Sequence, residues 1–267
     1  ARLDRLGPAK IVAQLGATIG REFAFEVMQA VFDGDEHTLL AALDILVAAE
    51  LLSRRDDLPH ATYVFTHALI QEAAYQSLTK RTRQHYHQRI AHVLSTVFPD
   101  MGERHPELVA HHWTEARDVA RAVSYWYRAG CQAAERLAHT EASRLFEQAI
   151  ALLHTLPETG DRLQQELAAQ TALGRSLIVT RGYGAPEVEA CYRRALVLCR
   201  AAGETSHQMQ AALGMAAFSF MRAELRTVRD LGERELATSQ REEPRGRRLQ
   251  VHWALGQACF HQGEFTA

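Results

Sequence analysis

Lysine is nearly missing from this chain: Lys10 and Lys80 are the only two, so 28 of the 30 basic residues are arginine. Arginine suits fixed ion pairs, but its abundance names no partner. No charge of one sign prevails either, since 30 basic against 32 acidic residues leave a net charge of −2. No global positive field therefore draws the chain onto nucleic acid or anionic lipid. The four cysteines, Cys131, Cys191, Cys199 and Cys259, share no C-x-x-C spacing and fall in helix-like segments, which predicts a reduced, cytoplasmic protein. Long apolar runs are absent. The longest, Leu39 to Leu52, is broken by Asp44 and Glu50 and is too short to cross about 30 Å of hydrocarbon. The start, Ala1-Arg2-Leu3-Asp4-Arg5-Leu6, has neither an initiator Met nor the apolar core of a signal peptide, and the end, Gly263-Glu264-Phe265-Thr266-Ala267, falls inside a repeat. The expectation is a piece of a longer protein.

Signatures of catalysis are lacking too. No G-x-x-x-x-G-K-[ST] phosphate loop occurs, so these residues are not expected to hydrolyse ATP alone. Gly182-x-Gly184 runs into Ala185-Pro186 after a helix and reads as a loop, glycine ending one helix and proline starting the next. The fourteen histidines include His85, His87 and His92 on one segment and His111-His112 on the next, but no H-E-x-x-H, and positions i and i+2 leave a helix on different faces. They read as solvated or packing side chains, with no metal. Asp56-Asp57 and Glu242-Glu243 read as solvated turns, and no G-x-S-x-G or Cys-plus-His nucleophile signature appears.

What is present has two grammars. In residues 1–104, Pro8 opens a helix that Gly20 closes, and Phe23, Val27, Ala30 and Val31 give a second apolar face ended by Asp33-Gly34-Asp35. Leu39, Leu40, Leu43, Leu46, Val47 and Leu51 give a third helix. Leu52–Arg54 and Thr62–Phe65 flank the polar loop Asp56-Asp57-Leu58-Pro59-His60 as a β-hairpin, and two helices follow over Thr66–Lys80 and Arg81–Phe98, the last with Tyr86, Ile90, Val93, Leu94 and Val97 on its apolar face. Three helices closed by a hairpin is the winged-helix order. A DNA-reading winged helix presents Arg, Lys, Asn or Gln from its third helix, whereas Thr38–Leu51 has none of these and carries Asp44 and Glu50. Residues 1–104 hold eleven basic and thirteen acidic side chains, and Arg54 and Arg55 are expected to pair locally with Asp56 and Asp57.

Residues 105–267 carry no strand signal and repeat with a period near forty. Gly130, Gly174, Gly214 and Gly256 are separated by 44, 40 and 42 residues. Trp126, Ala129, Gly130, Ala133, Ala142, Phe146 and Ala149 fall at the offsets of the tetratricopeptide (TPR) pattern, with Pro157 beyond. Leu173, Gly174, Leu177, Tyr192 and Ala195 repeat it, Leu213, Gly214, Ala217 and Leu231 more loosely, and Trp253 to His261 supplies only a first helix. Small residues let paired helices approach while an aromatic ring fills the groove between them, and each unit needs the next to bury its face. The fold class is mainly α: a winged-helix domain with one small β-hairpin, then a TPR-like α-solenoid.

Ala1–Leu6, Gln14-Leu15-Gly16-Ala17-Thr18-Ile19-Gly20-Arg21-Glu22-Phe23 and Phe65-Thr66-His67-Ala68-Leu69-Ile70-Gln71-Glu72-Ala73-Ala74-Tyr75 resemble the winged-helix region of bacterial STAND-type signalling ATPases. Pro106-Glu107-Leu108-Val109-Ala110-His111-His112-Trp113 and Gly182-Tyr183-Gly184-Ala185-Pro186-Glu187-Val188 resemble the TPR arm of the same proteins. The resemblance implies an upstream AAA-like ATPase module that binds ATP or ADP, often fused to a class III adenylate or guanylate cyclase or to a transcriptional-regulator domain. It also implies a role for His67, which matches the histidine that, in related NB-ARC proteins, meets the β-phosphate of ADP from the start of the helix after the wing. Thr66 and Ala68 depart from that motif's Met-His-Asp flanks, and the alternative is a histidine that caps or packs beside the wing. Arg21 is a weaker candidate to face the nucleotide module. First helices line the inner side of a TPR array, so Tyr125, Arg128, Gln132, Gln170, Arg175 and His252 are candidate contacts for a protein, peptide or small effector. The function expected is a non-catalytic regulatory and interaction region without a cofactor of its own. The alternatives are a DNA-binding regulator module, or an enzyme with a metal or hydrolytic site.

Overall fold

A computed structural model describes residues 6–58, 60–202, 208–238 and 245–263. Ala1 to Arg5, Pro59, Glu242, Glu243, Glu264 to Ala267 and the side chain of Trp253, all named above, lie outside what is described. The chain forms two compact units, residues 1–125 and 126–267. No helix of the described residues is long and apolar enough to cross a membrane.

The first unit opens with α1 (Ala9–Ile19), β1 (Glu22–Ala24), α2 (Phe25–Val31), α3 (Glu36–Ala48), β2 (Leu52–Arg55) and β3 (Thr62–Phe65). α1 starts behind Pro8, whose missing N–H costs nothing there, and stops at Gly20. α3 starts on Asp35, whose carboxylate accepts from the Thr38 amide at 2.8 Å and its hydroxyl at 2.9 Å; these bonds hold the Asp35 pKa below its ordinary value. The strands form one antiparallel sheet in the order β1-β3-β2, with Phe23 and Arg54 both opposite Tyr63. This is the winged-helix topology with its third strand included. The sequence predicts two strands and puts Phe23 on the apolar face of the second helix. Phe23 instead lies in β1, stacked on Tyr63 at 5.9 Å and beside Phe65. A three-residue strand is too short to show period-two alternation. Ala30, assigned to the buried face of α2, is exposed, and Phe25 and Met28 fill that face.

Behind the sheet come α4 (Ala68–Gln76), α5 (Lys80–Thr96), α6 (Pro99–Arg104) and α7 (Pro106–Glu115). α5 buries Ile90, Val93 and Leu94 as the periodicity predicts, but Val97 is its C-cap and stays 56% exposed.

α8 (Val119–Glu135) runs across the division between the units. The second unit continues with α9 (His139–Leu153), α10 (Gly160–Arg181), α11 (Pro186–Ala202), α12 (Gln208–Met221), α13 (Leu225–Thr238) and α14 (Arg245–Gln262). From α9 onward each helix packs on the next, and α12 also touches α10 and α14, as in an α-solenoid. Among the described residues no strand follows Phe65. The repeat glycines explain the packing. A Cβ on Gly130 would lie 2.5 Å from the Phe146 ring, while one on Gly174 or Gly214 would lie 2.9 or 2.3 Å from Tyr192. Tyr192, only 2% exposed, is therefore wedged between two successive repeats, and its burial pushes the phenol up to about 12. The loop after α10 turns on Gly182 at φ 84°, and Pro186 opens α11. Elsewhere left-handed turns use ordinary residues: Arg117, Leu137 and Ala223 follow α7, α8 and α12 at φ 63°, 62° and 59°.

Candidate functional site

His67 stands where the wing ends. The Thr66 amide donates to the Leu51 carbonyl, and the Thr66 hydroxyl donates to the Glu50 carbonyl at 2.8 Å, pinning the exit of β3 to the end of α3. The next residue, His67, is extended (φ −134°, ψ 136°) and forms the N-cap of α4; its carbonyl accepts from Ile70 and Gln71 while its imidazole makes no capping bond. The ring is exposed, and Leu69 beside it is 82% exposed. Arg21 is exposed as well. Its carbonyl accepts from the Phe65 amide, so it ends the β1–β3 ladder two residues from His67. The fold thus brings Arg21 and His67 to one end of the sheet, at the start of a helix whose first turn has no acidic residue. Such a pair can meet an anion: an imidazole and a guanidinium donate, and the helix dipole adds positive potential.

The exposed positions of α3 include Glu36, His37, Thr38, Ala41, Asp44, Ile45 and Ala48. They offer no donor fork to a base edge. Arg55 pairs with Glu22 across the sheet at 3.6 Å, where local pairing with Asp56 and Asp57 was expected.

The histidines divide by burial. His85 and His92 face solvent, whereas His87 and His112, 25 residues apart, meet Nδ1 to Nδ1 at 2.8 Å, each 1% exposed. The Tyr75 hydroxyl lies 2.9 Å from His87 Nε2, and the ring of His111 packs on both imidazoles. His112 Nε2 is buried with no partner. The arrangement that leaves no N–H unpaired has His112 donating from Nδ1 to His87, and His87 donating from Nε2 to the Tyr75 oxygen. Burial, then the nearby His111 and Arg83, lowers His87 to about 4, and burial holds His112 well below the usual imidazole range. The chain Tyr75–His87–His112 is neutral and ties α4, α5 and α7 together. Among the described residues no three His, Cys, Asp or Glu side chains are arranged to hold a metal ion.

In the second unit Arg128 and Gln132 are one turn apart on α8, Gln170 and Arg175 lie on α10, and His252 is exposed on α14; Tyr125 is half-buried on the first-unit part of α8. Of these, Arg175 has identified neighbours: its charge acts on Tyr127, Cys131 and Tyr192, so it sits where α8, α10 and α11 meet. Sequence reasoning missed a buried polar cluster of this unit. Glu166 on α10 is fully buried, accepts from Arg194 Nε at 2.7 Å and Nη2 at 3.1 Å, and is met by Arg162 at 3.2 Å and His154 at 3.1 Å. Burial alone would raise its pKa, but the bonds from Arg194 and His154 outweigh it and hold the carboxyl below its ordinary value. The i, i+4 spacing of Arg162 and Glu166 was a visible signal, although it occurs on solvated faces as well.

The first unit also holds an apolar cleft of about 880 Å3, lined by Phe23, Val27, Leu94, Phe98 and Leu108 with Arg104 and Asp100. A smaller basic pocket of about 280 Å3 lies between Lys80, Arg83, Gln84, Glu115 and Arg117. No protein-family profile matches the chain. Over 206 residues it is 29% identical to an uncharacterized protein of Rhizobium meliloti (strain 1021), an alignment that covers 75% of this chain and 20% of that relative.

Proposed function

We propose that this chain is the non-catalytic regulatory and protein-interaction region of a multidomain STAND-type signalling ATPase. Its winged helix reads the nucleotide state of an ATPase module on the same polypeptide, and its TPR-like helices bind a protein, peptide or small effector in the cytoplasm. The observation that carries this reading is the exposed imidazole of His67, which makes no capping bond, at the same end of the sheet as Arg21. An imidazole that served the fold alone would bond at the cap or pack on the wing. A free imidazole donor at the first turn of a helix suits the phosphate of ADP bound in a neighbouring module. The solenoid supports the second half of the proposal, because its stacked helices carry Arg128 and Gln132 on α8, Gln170 and Arg175 on α10 and His252 on α14. The winged helix acts here through its wing end and not as a DNA reader, since α3 offers acidic and apolar side chains where phosphate and base contacts need Arg or Lys.

The reading requires a full-length protein that retains nucleotide, and that protein is the one to test. His67→Ala is expected to lose bound ADP during native purification and to raise the basal output, with Arg21→Ala doing so more weakly. Unchanged retention and unchanged rates in both variants would overturn the proposal for the winged helix and reassign His67 to the fold.

A further inference from the structure

The basic pocket of the first unit is built from the start of α5 and the end of α7, with Lys80, Arg83, Gln84, Glu115 and Arg117 as its lining. Three cations face one carboxylate there, and among the described residues none of the three is in an ion pair. Elsewhere Arg89 pairs with Asp33 and Arg194 with Glu166. Arg83 is also held in place before any ligand arrives. Its Nη2 donates to the Tyr75 carbonyl and to Gln76 Oε1, both at 3.3 Å, and its Cζ lies 4.2 Å over the Tyr75 ring. Its Nε is buried and has no partner. A fixed guanidinium loses little entropy on binding an anion. The first turn of α5 holds no acidic residue and adds its dipole to the same side.

We propose that this pocket binds a small phosphate-bearing anion, inorganic phosphate or a short phosphomonoester, between Lys80, Arg83 and Arg117. The charge balance carries the choice of ligand. Three cations against Glu115 leave two positive charges, which a phosphate dianion matches and a single carboxylate does not. Glu115 only accepts, so it meets a hydroxyl on the ester's stem or a protonated phosphate oxygen. The volume of about 280 Å3 admits a phosphate with a short stem. The site is separate from His67, because α4 carries the chain from His67 to Gln76 and nine residues of helix span about 13 Å. The inference therefore stands apart from the nucleotide-sensing reading.

Titration calorimetry of this chain in low-salt buffer, with inorganic phosphate in one arm and glycerol 3-phosphate in the other, tests it. Arg117→Asn removes a charge at a left-handed position that asparagine tolerates, and Lys80→Gln removes another from the exposed start of α5. Saturable binding at one site is expected, weakened on the order of tenfold by each substitution while the melting temperature holds. Tighter glycerol 3-phosphate identifies an ester as the ligand, and tighter inorganic phosphate identifies the free anion. Heats that sodium chloride at equal ionic strength reproduces, or binding that survives the double substitution, overturn the proposal.

Discussion

At the scale of single residues, the side chains that matter most for stability are the buried ones whose charge state is fixed by their neighbours. Glu166 is the clearest. Its carboxylate sits without solvent among Arg162, Arg194 and His154, and removing one partner from such a cluster strands the remaining charges. Glu166→Ala is expected to cost about 3–5 kcal/mol in urea unfolding, whereas Glu158→Ala, which removes an exposed partner of Arg162, should change stability by less than about 1 kcal/mol. Equal effects would mean that the buried network is not what holds α9, α10 and α11 together. Glu166 lay outside the candidate set because its partner Arg194 is 28 residues away. Burial of one carboxylate among many is a tertiary fact.

Elements show the same division between local signal and packing. The repeat glycines lower helix propensity, yet at Gly214 the missing Cβ is what admits Tyr192. Gly214→Ala is therefore expected to destabilise by about 1–3 kcal/mol despite a gain of about 1 kcal/mol in propensity. Gly256 has nothing within 4 Å of a built Cβ, so Gly256→Ala should stabilise by up to about 1 kcal/mol. Opposite signs at these two positions, read by thermal melts, check the packing; the same sign at both would refute it. Leu137 offers a second test, because it is 79% exposed and left-handed at the end of α8. Leu137→Asn keeps that backbone more cheaply and should add about 0.5–1 kcal/mol.

For the whole molecule, the two units should respond to acid in different windows. His87 in the first unit has its pKa lowered from 6.5 to about 4, so the folded state disfavours its proton. Its contribution is fully present above pH 6.5 and drains away as the pH falls toward 4. Glu166 in the second unit is also lowered, from 4.5, so its contribution is intact above that value and is lost only at lower pH. Hydrogen exchange along the chain should therefore show α4, α5 and α7 loosening between about pH 6.5 and 4 while α9 to α11 stay protected. His87→Leu should reduce the pH slope of the first unit in that window, leaving the part that His112 contributes, and leave the second unit unchanged. Simultaneous loss of protection in both units would sink the assignment.

How much of this was legible in the chain follows from the range of the forces involved. Helices with wide apolar faces, the hairpin around Asp56-Asp57, the caps at Pro8 and Gly20 and the forty-residue period are local patterns, so the sequence alone was enough to read a mainly helical fold with a small sheet and a solenoid. The three-residue β1 could not be read that way, because its place is set by the ladder to β3 and not by its own pattern. His67 is legible as a candidate from its position after the wing, but that Arg21 ends the same ladder follows only from strand register. The pairing of His87 with His112, the cluster around Glu166 and the uncompensated charge at Lys80, Arg83 and Arg117 join residues from different helices. Local propensity acts within a few residues and is written in the chain; burial and Coulomb partners are decided where distant helices meet, and there the tertiary structure alone determined the outcome.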